Sequence, residues 1–262
     1  MQPLGQNRDG YLGERTEIAV ILREIRRLAP GAGWREEVLL PGSDREIVCL
    51  TRPHRISGLP SPVRLYISAG MHGDEPAGPA ALLRLFRHDL WPDNVDLWVC
   101  PCLNPTGCAR TTRENDAGID LNRDYLNPET LEVRAHVEWL ARQPDFQGVL
   151  CLHEDWESTG FYCYELNPPG SEPVAEAIIE AVREICPIES AELIDGRAAH
   201  APGIIRPSLD PFSRPKWPEA FWMWHRSQGR SLTLEAPSDF PLPVRVQALV
   251  TATCKALQKW SA

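Results

Sequence analysis

Residues 63–90 read VRLYISAGMHGDEPAGPAALLRLFRHDL, and this stretch decides the fold. Val63–Ala69 is dominated by Val, Leu, Tyr and Ile and gives a buried strand that stops at Gly70. Pro76 suits the first position of a helix, where its missing N–H has no partner to lose, and residues 76–90 continue the helix. The same alternation continues on either side. Downstream come a strand at Val95–Cys100, a helix at Glu129–Arg142, strands at Gly148–Leu152 and Phe161–Leu166, a helix at Glu172–Cys186, a strand at Ser231–Leu234 and a closing helix at Val244–Trp260. Upstream, Ile18, Ile21, Leu22, Ile25 and Leu28 recur at helical spacing within residues 14–29, until Pro30-Gly31. Two strand-like runs, Trp34–Leu40 and Glu46–Thr51, then flank a Pro-Gly-Ser-Asp turn. Strands that alternate with helices and are apolar on both faces predict a largely parallel sheet covered by helices on each side. No repeat or composition break divides the chain, so residues 1–262 are expected to form one α/β domain with an N-terminal helical extension to residue 30.

Two segments stand apart. Asn104–Asn127 reads as a long polar loop. Residues 201–224, APGIIRPSLDPFSRPKWPEAFWMW, carry prolines at 202, 207, 211, 215 and 218, which exclude regular structure through most of the segment. Its tryptophans and phenylalanines give it apolar anchors, as in a lid or a packed cover.

Composition narrows the function classes. With 27 Lys+Arg against 36 Asp+Glu the net charge is −9, and no long basic run is present, which argues against nucleic acid or an anionic membrane as partner. No apolar stretch of about 18 residues is present that could span a bilayer. The N-terminus lacks a basic region followed by an apolar one, so a cytoplasmic protein is expected, with its eight cysteines reduced. Several of these, such as Cys49 and Cys151, lie inside apolar runs as buried thiols. Cys100, Cys102 and Cys108 lack the Cys-x-x-Cys pair and fourth partner of a structural metal site.

The chemistry gathers at strand ends, where open α/β sheets bind their ligands. His72 and Glu75 follow the strand 63–69 on a glycine-flanked turn, and imidazole and carboxylate are good Zn²⁺ ligands. His153 ends the strand that begins at Gly148. Two histidines and one carboxylate form the three-ligand set of a catalytic zinc site with one position left for water. Glu235 ends the apolar strand Ser231–Leu234, where a buried carboxylate needs a partner or a task; general base toward a metal-activated water supplies both. Between them the polar loop contributes Asn104-Pro-Thr-Gly107, Arg113 and Asp120-Leu-Asn122-Arg123.

These pieces, in this order, resemble the zinc carboxypeptidase superfamily, which includes carboxypeptidase A. The resemblance implies a single domain built on a mixed, mostly parallel twisted sheet of about eight strands with helices on both faces. It implies one Zn²⁺ per chain, bound by His72, Glu75 and His153, with Asp120 holding the far ring nitrogen of a zinc histidine. Arg113 would stabilise the oxyanion, Asn122 and Arg123 would clasp a free substrate carboxylate, and Glu235 would serve as the general base. The compact spacing is similar to two smaller branches. One holds the murein-peptide amidases, which cut a γ-D-glutamyl–diaminopimelate bond; the other holds the succinylglutamate desuccinylases and aspartoacylases.

The expected activity is hydrolysis of an amide next to a free carboxylate in a small acidic peptide, with N-acyl amino-acid deacylation as the alternative. Deacylases of this kind often carry a further C-terminal β-domain, whereas 27 residues follow Glu235 here. The superfamily's tyrosine ahead of the catalytic glutamate has no counterpart, since the tyrosines are 11, 66, 125, 162 and 164. Glu154-Asp155 either attracts a cationic substrate group or caps a loop. Arg206, Arg214, Lys216, Arg226 and Arg230 either read further carboxylates or balance an acidic body. A serine hydrolase is disfavoured, because no Gly-x-Ser-x-Gly occurs. The oligomeric state is not legible.

Overall fold

A computed structural model of the chain describes residues 3–7, 13–210 and 215–262. The elements are α1 (Ile18–Leu28), β1 (Arg35–Leu39), β2 (Ile47–Arg52), β3 (Val63–Ala69), α2 (Ala77–Arg87), β4 (Val95–Cys100), α3 (Pro105–Arg110), α4 (Leu131–Ala141), β5 (Gly148–Asp155), β6 (Tyr162–Leu166), α5 (Ala175–Val182), β7 (Leu193–Ile194), β8 (Arg197–Ala198), β9 (Ile204–Ile205), α6 (Glu219–Ser227), β10 (Arg230–Pro237) and α7 (Leu242–Trp260). Eight strands form one sheet in the order β1-β2-β4-β3-β5-β10-β6-β9, and β7-β8 is a separate hairpin. The centre, β4-β3-β5-β10, is parallel, β6 is antiparallel to β10, and β1 and β2 close the far edge as antiparallel strands.

The sheet is covered on both faces, and the strand period of two assigns each face its residues. Leu65, Ile67 and Ala69 of β3, Leu150 and Leu152 of β5, and Leu232, Leu234 and Ala236 of β10 join the cluster made with α1, α2, α5 and α7. Tyr66, Val149 and Cys151 belong to the opposite cluster, with Trp139 and Leu140 of α4 and Met223 of α6. His153 continues the Val149-Cys151 row, and Glu235 continues the row of Thr233. The functional side chains therefore stand on the α4–α6 face, at the carboxyl ends of parallel strands.

The structure differs from the sequence expectation where polar caps make helices. Asn104–Asn127 is not a plain loop: Asn104 Oδ1 accepts the Gly107 N–H at 2.9 Å and opens α3 with Pro105 at its first position. In the proline-rich segment, Pro218 marks the start of α6, and Ile204–Ile205 pairs with β6 as β9. β5 and β10 also run on to Asp155 and Pro237, beyond Leu152 and Leu234. All eight cysteines are free. Among the described residues no helix is long and apolar enough to cross a membrane.

Candidate active site

Parallel neighbours β3, β5 and β10 bring three strand ends together. Glu235 is in register with His153 on one side and with Tyr162 on the other. His72 and Glu75 arrive on the turn after β3, which is held by close backbone packing. Gly73 N–H donates to the Thr112 carbonyl at 2.9 Å, and a Cβ at Gly73 would sit 1.9 Å from the Gly107 carbonyl carbon. At Gly107 a Cβ would lie 2.6 Å from the Glu114 carbonyl oxygen, and Asn104 Nδ2 donates to the Arg113 carbonyl at 3.3 Å. The two glycines and Asn104 thus set Arg113 against the His72 turn.

The ligand atoms of His72, Glu75 and His153 lie within 4.8 Å of one another, and all three side chains are buried. Among the described residues no other group of three His, Cys, Asp or Glu converges this way, Cys100, Cys102 and Cys108 included. Nδ1 of His72 is 2.5 Å from Glu75 Oε1, and Nδ1 of His153 is 2.8 Å from Glu75 Oε2. Nε2 of His72 faces Asp120 Oδ1 at 3.3 Å, so Asp120 holds the outer nitrogen and turns Nδ1 inward. Asp120 itself is fixed by the Asn122 N–H at 2.9 Å and by Arg113, whose Nε lies 3.1 Å from its other oxygen.

This corner favours a cation. Burial alone would raise the Glu75 carboxyl, yet the His72 and His153 imidazoles hold it well below the usual carboxylate range. Burial likewise opposes ionisation of Asp120, and His72 and Arg113 hold it low. Against its own burial, His72 is pushed up to about 9 by Glu75 and Asp120. Two imidazole nitrogens and a carboxylate converging in an anionic setting fit one divalent ion, and this is the donor chemistry zinc prefers. Glu235 is half-buried beside this group. Burial and the carboxylates of Glu75, Asp155 and Asp195 push its carboxyl well up.

From here the cleft, of roughly 660 Å³, extends along the face of β10 and β6. Thr233 and Tyr164 form its next row and Leu166 follows, with Pro218, Ala220 and Phe221 as an apolar wall. Asn122 lines the other side, and its Oδ1 accepts the Glu219 N–H at 2.9 Å, which leaves its amide N–H groups free toward the cleft. Arg123 lies beside it, exposed, with one guanidinium nitrogen on the Asn122 carbonyl. Beneath them the buried Glu219 carboxylate accepts from Tyr66 at 2.7 Å and Ser68 at 2.8 Å, tying the start of α6 to β3.

Comparison with known proteins agrees with this geometry. Residues 62–184 match the succinylglutamate desuccinylase/aspartoacylase catalytic domain family. Murein peptide amidase A of Escherichia coli K12 is 31% identical over 121 residues, covering 46% of this chain and 44% of that protein. Carboxypeptidase SOL1 of Arabidopsis thaliana is 34% identical over 123 residues, covering 39% of this chain and 24% of that protein. The chain thus matches less than half the length of either curated relative. A solved structure described as a metallopeptidase, from Shewanella baltica, superposes with a TM-score of 0.73 at 27% identity over 94% of this chain and 91% of that one. A metallo-carboxypeptidase from Pseudomonas aeruginosa, solved with (2-guanidinoethylmercapto)succinic acid, gives 0.66 at 19% identity over 93% and 69%. In fold and in its buried His-Glu-His group the chain is similar to the zinc carboxypeptidases.

Within this architecture, the eight residues to which the resemblance assigns a role lie in one neighbourhood. His72, Glu75, Arg113, Asn122, Arg123, His153 and Glu235 line the cleft, and Asp120 backs His72 and Arg113. The other candidates divide. Glu154 borders the cleft, but its carboxylate is engaged within the protein: it is buried, accepts the Ala77 N–H at the start of α2 and pairs with the buried Arg245. Asp155, its neighbour, does line the cleft and accepts from Tyr162 at 3.0 Å. Arg206 is engaged by Glu165 and Glu176, and Arg226 by the Gln143 carbonyl, so neither is offered to a substrate. Arg230 lies at the start of β10, five residues before Glu235. Lys216 reaches the cleft rim, and Arg214 lies outside the described residues. The sequence reading missed Tyr162, Tyr164, Asp195, Arg197 and Glu219. The period-two order Tyr162-x-Tyr164-x-Leu166 was the one available signal, since it puts those side chains on one face.

Proposed function

We propose that this protein is a zinc-dependent hydrolase that cleaves an amide bond next to a free carboxylate in a small acidic peptide, as a carboxypeptidase or a γ-D-glutamyl–diaminopimelate amidase does. The observation that carries the reading is the register of β5 and β10. It sets Glu235 beside the His72–Glu75–His153 group, with the N–H donors of Asn122 and Arg123 farther along the same cleft.

A zinc ion held by His72, Glu75 and His153 would supply Lewis acidity and bring the pKa of water toward neutrality. Glu235, raised by burial and by facing carboxylates, is the stronger base for it, and accepts the proton of the attacking water at a carboxylate oxygen. It then returns that proton to the leaving nitrogen as the C–N bond breaks. Arg113 presents its guanidinium 3.7 Å from Glu75, beside the donor group, where negative charge develops on the carbonyl oxygen. The free Asn122 N–H groups and the cationic Arg123 guanidinium suit a carboxylate on the leaving side and disfavour an ammonium there.

A second reading, N-acyl amino-acid deacylation, is favoured by the family match over residues 62–184. The same groups would act, with a small acyl group in place of a peptide. The cleft runs on from Glu235 past Thr233 and Tyr164 to Leu166, which favours a peptide over a small acyl group.

Zinc-loaded protein is expected to hydrolyse L-Ala-γ-D-Glu-diaminopimelate, and Glu235→Gln to lose about 10²–10⁴ in kcat while still binding one zinc. A parallel panel of N-succinyl and N-acetyl amino acids separates the readings. Turnover of the panel alone makes the protein a deacylase. Silence on both sets with zinc bound overturns the substrate assignment.

A further inference from the structure

One wall of the cleft has no task in this reaction. β7 and β8 are joined by Asp195-Gly196, with φ of 47° and 66°, the backbone of a two-residue type I′ hairpin turn. Ile194 is buried against Tyr162 and Ile205, so the hairpin is anchored to the sheet and its tip is held at the cleft. Asp195 and Arg197 both line that cleft. One carboxylate oxygen of Asp195 accepts from the Tyr164 hydroxyl. The other accepts nothing, and Arg197 forms no hydrogen bond or ion pair, among the described residues. Nor does an ion pair join the two.

Their place in the sheet is specific. Tyr164 is in register with Thr233, two residues, or about 7 Å, along β10 from Glu235. The same direction leads beneath the first turn of α6, where Ser231 donates to the Ala220 carbonyl and the Glu219 N–H holds Asn122. Asn122 and Asp195 therefore flank the Thr233 position from opposite sides, one toward β3 and β5, the other at β6. A leaving amino acid whose α-carboxylate sits at Asn122 and Arg123 has its side chain over Thr233, with the end of that chain at the hairpin.

We propose that Asp195 and Arg197 are specificity-determining residues that read an ammonium and a carboxylate, together an amino-acid zwitterion, at the distal end of the leaving residue's side chain. This rests on the hydrolase reading of the cleft. Asp195 offers its free oxygen to the ammonium while Tyr164 fixes the carboxylate plane. Arg197, two residues on and otherwise uncompensated, offers its planar fork to the carboxylate.

The test keeps one acyl donor, L-Ala-γ-D-Glu, and varies the leaving residue: norleucine, lysine, 2-aminopimelate and diaminopimelate. Asp195→Asn is expected to lower kcat/KM about 10-fold or more, through KM, for the lysine and diaminopimelate peptides, and less than about twofold for the other two. Arg197→Gln is expected to do the same for the 2-aminopimelate and diaminopimelate peptides only. Calorimetric titration of free diaminopimelate and free norleucine into the zinc-loaded protein gives a readout without turnover, and only the diaminopimelate affinity should fall in the variants. A uniform loss across the series, or none, overturns the proposal. If the wild type cleaves no peptide yet binds diaminopimelate in a manner that needs both residues, the hydrolase reading fails and the zwitterion site stands. Failure of that binding dependence as well removes both.

Discussion

On the β3–β5 side of the cleft, the charged groups are answered from within the protein. Glu75 meets two imidazoles, His72 meets Asp120, and Asp120 meets Arg113. On the β6 side, Asp195 shares one oxygen with Tyr164, while Arg197 and Lys216 have no partner among the described residues. The first wall is complete except for a cation, whatever the substrate. The second leaves its exposed charges open to solvent or to a ligand, which is how a chain can keep one chemistry and change what it acts on.

The largest effect should come from breaking the first wall. His153→Ala removes one of three ligands, so zinc per chain, measured by elemental analysis, should fall toward zero, with turnover down about 10³-fold or more. Chelator treatment of the wild type should abolish turnover reversibly, and added zinc should restore the wild type but not the variant. Retention of zinc and rate in His153→Ala would show that the buried group is structural, and the contrast between the walls would collapse.

Next in size is the backbone behind that wall. Gly73→Ala puts a Cβ into the Gly107 carbonyl carbon, and no flexible side chain is there to yield. A stability loss of about 3 kcal/mol or more is expected in denaturant unfolding, with the Arg113 loop displaced. An equivalent alanine at Gly196 meets open space but must adopt a positive φ, so its cost should be nearer 1 kcal/mol. Equal costs at the two glycines would mean that the His72 turn is not the tightly packed one.

This difference explains what could be read from the sequence. The first wall is written in short motifs: His72-Gly-Asp-Glu75 and His153 follow apolar, strand-like runs, and Asp120-Leu-Asn-Arg123 stands out in the polar loop. Parallel neighbours then bring those ends together without further instruction. The second wall is assembled from β6, a hairpin with two-residue strands and a helix hidden behind prolines. A run of prolines signals a break, although a proline also opens a helix, as Pro218 does, and Leu193–Ala198 is too short to show a period. The role of Glu154 is hidden for a related reason: its partner Arg245 is 91 residues away, and no local pattern announces a long-range ion pair.

Beneath the cleft lies a buried network that should titrate. Tyr66 donates to Glu219 and Tyr125 bonds His136 Nδ1 at 2.8 Å, leaving His136 Nε2–H to donate to Tyr66 at 2.9 Å. Burial lowers the His136 pKa from 6.5 to about 3. Below 6.5 the unfolded chain takes up a proton that the fold refuses until about 3, so the unfolded state binds more protons across that window. Stability therefore falls with falling pH, by up to about 1.4 kcal/mol per unit from this group. Glu75 and Asp120, held low, act in the same direction. The check is the difference in slope between wild type and His136→Gln in urea unfolding from pH 7 to 4. An unchanged slope would place His136 outside the titrating core.

The smallest effect separates two cations that composition treats alike. Arg206 makes two bonds, of 2.9 and 2.7 Å, to the buried Glu165, which also accepts the Val174 and Ala175 N–H groups at the start of α5. Arg206→Ala should cost about 1–2 kcal/mol in stability, because a buried carboxylate loses its counterion, and leave KM unmoved. Lys216 stands exposed at the cleft rim, so Lys216→Ala should leave stability within about 0.5 kcal/mol. It should raise KM for an anionic peptide a few-fold, an effect that shrinks as salt is added, because an exposed charge acts across solvent. A KM effect from Arg206, or a stability effect from Lys216, would move that residue to the other class. The proline-rich segment would then have to be redrawn, with its inner cation serving the ligand and its outer one the fold.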